Sequence, residues 1–174
     1  MTARFVEFRQ AVADKIKEAL PELQSCEVQT GRFNLDDLKT ESVRTPGVRF
    51  AVIKAPIQNE PNASQTALCE CAAFVVTEGR DRDTAAWTIA EAIASLAHSG
   101  QQWGLTKIGV PTDVLVAPVV SLGIEKRTTA ILAVQWKQRL LALGSTLFEP
   151  GEPFVPAELY IGDELVPLED LVDA

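Results

Sequence analysis

The segment Thr66–Thr77 constrains the fold more than any other part of the chain. Read with a period of two, Leu68, Glu70, Ala72, Phe74 and Val76 share one face, and Ala67, Cys69, Cys71, Ala73 and Val75 share the other. Both faces are mostly apolar, so the pattern predicts a central strand. A strand of this kind needs neighbours to pair with and helices to cover it.

Both requirements are legible on either side of it. In Arg4–Leu23, Phe5, Phe8, Val12, Ile16, Ala19, Leu20 and Leu23 recur in steps of three and four, which predicts an amphipathic helix ending near Pro21. A second helix is expected over Thr84–His98. Asp83 is its N-cap, Ala86, Ile89, Ala90, Ile93, Leu96 and Ala97 form its buried stripe, and Gly100 stands at the C′ position. Its alanines permit close approach to a sheet or to a neighbouring subunit. Further strands are predicted at Cys26–Thr30 and at Val48–Ala55, the latter between the turn Pro46-Gly47 and Pro56. Asp113–Ile124 is strand-like but contains Pro118, which cannot donate to a ladder and marks an edge or a bulge. After a charged tip, Glu125-Lys126-Arg127, the strand Thr128–Leu140 carries Ala130, Leu132, Val134 and Trp136 on its core face. Its other face changes from Ile131 and Ala133 to Gln135, Lys137 and Arg139. Asn34 is expected to cap a short turn or helix at Leu35–Lys39. Ile57–Ser64 reads as a mobile loop, and Gln101–Thr112 as a loop holding Trp103 and Gly104. The order of elements predicts an α+β domain: a small, mainly antiparallel mixed sheet with two main helices packed on it.

Charge divides the chain in two. The net charge of −8 resides in Gly144–Ala174, where Glu149, Glu152, Glu158, Asp163, Glu164, Glu169, Asp170 and Asp173 stand without a single Lys or Arg. Met1–Leu143 balances its 16 basic side chains with an equal number of acidic ones. We therefore expect a folded body over residues 1–143 and an extended acidic C-terminal arm over 144–174. A neutral body argues against non-specific binding to nucleic acid, and an arm of one sign argues for docking or solvation. The arm also carries Leu147, Phe148, Phe154, Tyr160, Ile161, Leu171 and Val172, too apolar a set for solvation alone. It is expected to lie on its own body or on a neighbour, with a small hairpin where Leu159-Tyr160-Ile161 and Leu165-Val166 flank Gly162-Asp163-Glu164. The apolar runs fall short of the roughly 20 residues of a membrane span, and Glu7, Arg9 and Asp14 interrupt any signal-peptide pattern, so no membrane association and a cytosolic product are expected.

The residue types of common catalytic sites do not converge. The one histidine, His98, falls at a helix C-terminus, where it complements the helix dipole. There is no phosphate-binding loop and no Gly-x-Ser-x-Gly elbow. Asp36-Asp37 and Asp81/Asp83 read as solvated caps and turns. Cys26, Cys69 and Cys71 read as small buried hydrophobes. Cys69 and Cys71 stand ~7 Å apart along one strand face, at the limit of a disulfide. The expectation is a non-enzymatic protein with no cofactor and no metal. Binding falls instead to a few side chains. Trp87 lies off its helix's main stripe, toward Glu91 and Ala94, and reads either as a helix flank or as an interface anchor. Trp103 reads either as a core or as an interface residue, and Trp136 as core. Lys137 and Arg139 read as solvated surface, or as the lining of a lumen or a seat for an acidic partner.

Taken together, the amphipathic first helix ending in Leu20-Pro21, the central strand Ala67–Thr77, the charged turn Glu78–Arg82, the Ala-rich helix Ala85–Ala97 and the closing hairpin Val114–Leu140 resemble tail terminator (tail completion) proteins of long-tailed bacteriophages. The likeness is greatest to those of Mu-like phages and prophages. The stretch GIEKRTTAILAVQWKQRL carries most of it. The resemblance implies an α+β subunit of a homohexameric ring that caps the completed tail tube and presents the head-joining surface. The implied partners are other copies of the chain, the tail tube protein and a neck or head-completion protein, with DNA only passing through the lumen. The implied locations are the head-proximal end of the virion tail and, during assembly, the host cytoplasm. A head–tail connector and a small cytosolic α+β enzyme or ligand-binding domain are the alternatives.

Overall fold

The computed structural model describes residues 3–29, 43–60, 64–98, 102–119, 129–144, 158–161 and 164–167. Its elements are α1 (Arg4–Ala19), β1 (Ser25–Val28), β2 (Gly47–Lys54), β3 (Ile57–Asn59), β4 (Gln65–Glu78), α2 (Arg82–His98), β5 (Thr112–Pro118), β6 (Thr129–Leu143), β7 (Glu158–Ile161) and β8 (Glu164–Pro167). Six strands form one mixed sheet in the order β1-β2-β4-β6-β5, with β3 also paired to β4. The β1–β2 pair is parallel and all the other pairs are antiparallel. This is the expected α+β architecture, with both helices packed against the sheet.

β4 occupies the centre, as its two apolar faces require. It bonds β2 and β3 along one edge and β6 along the other. Ala67, Cys69, Cys71, Ala73 and Val75 are buried in the core shared with the helices, while Ala72 and Phe74 form a second buried cluster with Ala51 and Ala133. α1 contributes Phe8, Val12 and Ile16 to the main core, and α2 contributes Ala86, Ile89, Ala90, Ile93 and Ala97. Burying a side chain such as Phe8 or Ile93 contributes about 2 kcal/mol by transfer alone. A line of rings crosses this core. Phe8 meets Phe50 edge-on at 6.0 Å, Phe50 stacks on Trp136 at 5.5 Å, and Trp136 meets Trp103 at 5.8 Å. Such pairs add to the area term.

Tight backbone contacts set the joints. A Cβ on Gly47 would come within 2.6 Å of the Arg44 carbonyl oxygen and 2.5 Å of Ser25 Oγ, so only glycine lets β2 start beside β1. The buried Thr77 hydroxyl donates to the Arg82 carbonyl at 2.6 Å and ties the end of β4 to the start of α2.

The structure departs from the expectations for two stretches, Ile57–Asn59 and the start of α2. Ile57–Asn59 is not a loop: Pro56 breaks the ladder after β2, and the chain then resumes pairing with β4 as β3. α2 starts at Arg82, so Asp83 lies inside the first turn rather than at the cap, where its charge still suits the helix dipole. Of the two readings of Trp103 the structure takes the core one, with the residue 2% exposed. The expected cap at Asn34, the turn at Leu35–Lys39, Gly100 and the tip Glu125-Lys126-Arg127 lie outside the described residues.

Candidate interaction surfaces

The first surface is a groove at one flank of the sheet. α2 buries its alanine-rich side and leaves Trp87, Glu91, Ala94 and Ser95 along the flank. The edge strand β5 turns Val114 and Val116 toward them, enclosing a cleft of about 550 Å³. Trp87 is 45% exposed there, on the side of Glu91 and Ala94 that helical spacing predicts. β5 ends in Pro118, and its pairing with β6 is irregular between Thr112 and Leu115. Both features make its backbone edge a poor template for another strand, so a contact made here would run through side chains.

The second surface lies at the opposite flank, where Phe5, Arg9, Gln29, Val52, Ala55 and Ile57 line a hollow of about 460 Å³. Val6 and Ile57 beside it are 54% and 55% exposed. The Arg9 guanidinium donates to the Gln29 carbonyl and has no carboxylate partner among the described residues. Sequence reasoning missed this surface because Ile57 falls in a stretch read as loop. Only the pairing of β3 with β4 brings it beside α1.

Lys137 and Arg139 share the sheet face opposite the helices but differ in electrostatics. Lys54 on β2 pairs with Glu70 on β4 at 3.7 Å, Glu70 stands in register with Lys137 on β6, and Lys137 Nζ meets Asp113 at 2.9 Å. Charge thus alternates across four strands, and opposite charges facing across strands are favourable. The Asp113 hydrogen bond and charge, with help from Glu70, hold the Lys137 ammonium above its usual pKa. Arg139 is exposed, sits opposite Leu68, and has no ion pair among the described residues.

Trp103 and Trp136 are withdrawn from any surface by Gln138. Its Oε1 accepts from Trp103 Nε1 at 2.7 Å and from Trp136 Nε1 at 3.2 Å, and its Nε2 donates to the Gly109 carbonyl at 2.8 Å. One buried amide therefore satisfies two indole N–H groups and pins the Gln102–Gly109 segment to β6. The buried Arg4 clasps the same segment, donating to the Thr106 carbonyl at 2.6 Å and to the Lys107 carbonyl at 3.2 Å.

The cysteines are free thiols. Burial pushes Cys26 up to about 11 and Cys69 up to about 12, and raises Cys71 well above its ordinary value, so none is poised as a nucleophile. In the arm, β7 and β8 pair as the expected hairpin, with Tyr160 in register with Leu165. Phe148 and Phe154 lie outside the described residues. Among the described residues, no group of three or more His, Cys, Asp and Glu could hold a metal ion, and no helix is long and apolar enough to cross a membrane. No protein-family model matches the chain, and no curated protein matches it in sequence.

Proposed function

We propose that this chain is a structural subunit of a phage tail: a terminator that caps the completed tail tube as a homohexameric ring and offers the head-joining surface. The observation that carries the reading is the presence of two apolar surfaces on opposite flanks of one rigid sheet, the Trp87 groove and the Phe5–Ile57 hollow. A ring subunit needs two different, complementary patches, because its interface is heterologous. The pattern of helix, central strand and closing hairpin that resembles tail terminators lies in the same body, Phe5–Leu143. The acidic arm begins where β6 ends, at Gly144 in a left-handed turn (φ 78°), and in this reading it docks on a neighbour or on the next neck component.

The test is light scattering after size exclusion, with electron microscopy of the same protein alone and mixed with tail tubes. Six-fold rings, free or seated on tube ends, are expected. Rings that decorate the head vertex instead would make the protein a connector. A monomer that ignores tail tubes would defeat the reading.

A further inference from the structure

We infer that the two flanking surfaces are halves of one contact: the α1–β3 hollow of one copy, with Arg9, covers the α2–β5 groove of the next, with Glu91. This rests on the ring reading and names the surfaces through which the ring closes.

Position, apolar character and charge support it. The sheet order puts β5 at one edge and β1 at the other, with α2 packed over β4, β5 and β6 and α1 over β1 and β2. A contact between opposite flanks is head-to-tail, so each copy uses both surfaces and the assembly closes only by rotation. The groove has an exposed tryptophan as its wall, the residue type most enriched among interface hot spots. The hollow offers Phe5 and Ile57 as apolar counterparts, and Val6 on α1 is 54% exposed. The helical spacing of Val6 and Arg9 puts them side by side on α1. The two surfaces also differ in sign. Glu91 is exposed in the groove, and neither it nor Arg9 has an ion-pair partner among the described residues. Complementary charges at the rim of an apolar contact set its register and its partner. The acidic arm, by contrast, would bring further carboxylates toward Glu91.

Engineered thiols test the contact in the full chain, against a background of three buried or half-buried native cysteines. Arg9→Cys and Glu91→Cys proteins are mixed and treated with a short bismaleimide. A covalent dimer is expected in the mixture and not from either variant alone, and a chain carrying both substitutions should give a ladder ending at six. Self-dimers of either single variant would reveal a two-fold contact and overturn the proposal. So would a mixture that stays uncross-linked while the wild-type protein forms rings. Efficient linkage of Glu91→Cys to Tyr160→Cys, in place of Arg9→Cys, would make the arm the occupant and also overturn it. A ladder that closes at another number upholds the contact and instead contradicts the six-fold terminator reading. In parallel, Arg9→Glu and Glu91→Arg should each weaken association roughly tenfold or more, and a mixture of the two should recover it. Recovery separates a direct charge pair from general damage to either surface.

Discussion

Beside Gln138 two indoles are sealed into the body, whereas along α2 a third stands open to solvent. Trp103 and Trp136 spend both N–H groups on one amide oxygen and stack into a line of rings that reaches α1. Trp87 faces a cleft and is 45% exposed. The same residue type thus stabilises the fold in one region and, under the proposed ring reading, serves a contact with another copy in the other. In that reading folding and association are lodged in different residues, so that each should be open to damage without the other.

The largest effect should come from Trp136→Ala. Removing a fully buried ring from between Phe50 and Trp103 is expected to cost about 3–5 kcal/mol in denaturant unfolding. A loss under about 1 kcal/mol would break the comparison on its structural side. Gln138→Leu comes next. It keeps the volume but strands two indole N–H groups and the Gly109 carbonyl, and about 3 kcal/mol should be lost.

Alkaline unfolding sharpens the buried side further. The folded-state values of Cys26 and Cys69 are raised from 9.0 to about 11 and about 12. A raised value means that the folded state holds its proton more tightly. The associated stability is full below pH 9.0 and drains away as pH climbs toward 11 and 12. Thermal unfolding between pH 8 and pH 11 should show this decline, and the native thiols should react slowly with Ellman's reagent at pH 8. Trp87→Ala should act the other way round, leaving stability within about 0.5 kcal/mol of wild type while weakening association roughly tenfold. An unstable Trp87→Ala monomer would erase the contrast. The smallest effect is expected from Asp113→Asn, which removes one rung of the exposed charge ladder. It should lower the Lys137 pKa in an NMR titration and barely move the unfolding midpoint.

Several of these features were legible in the sequence because they depend on local period. Alternation alone places β4 at the centre and Trp136 on the core face, and helical spacing puts Trp87 beside Glu91 and Ala94. Pro118 marks β5 as an edge strand without any tertiary information. What escaped depends on partners far along the chain. Trp103 looks like a loop residue until Gln138, 35 positions away, accepts its N–H. Gln138 has the parity of the core face, but a polar side chain gives no reason to extend that face past Trp136. Ile57 follows a proline in a stretch rich in Asn and Pro, and its pairing with Ala67 is decided by β4 rather than by its own neighbours. Lys137 and Arg139 share a face as the period requires. That Asp113 compensates one and not the other follows from the irregular register of β5.

The central claim is that this chain ends tail growth and enables head joining. Deleting its gene and measuring tails by electron microscopy tests that claim most directly. The account predicts tails of uncontrolled length that do not join heads, restored by the wild-type gene and not by a variant in which Arg9→Glu and Trp87→Ala are combined. Tails of normal length that join heads in the deletion strain would contradict it.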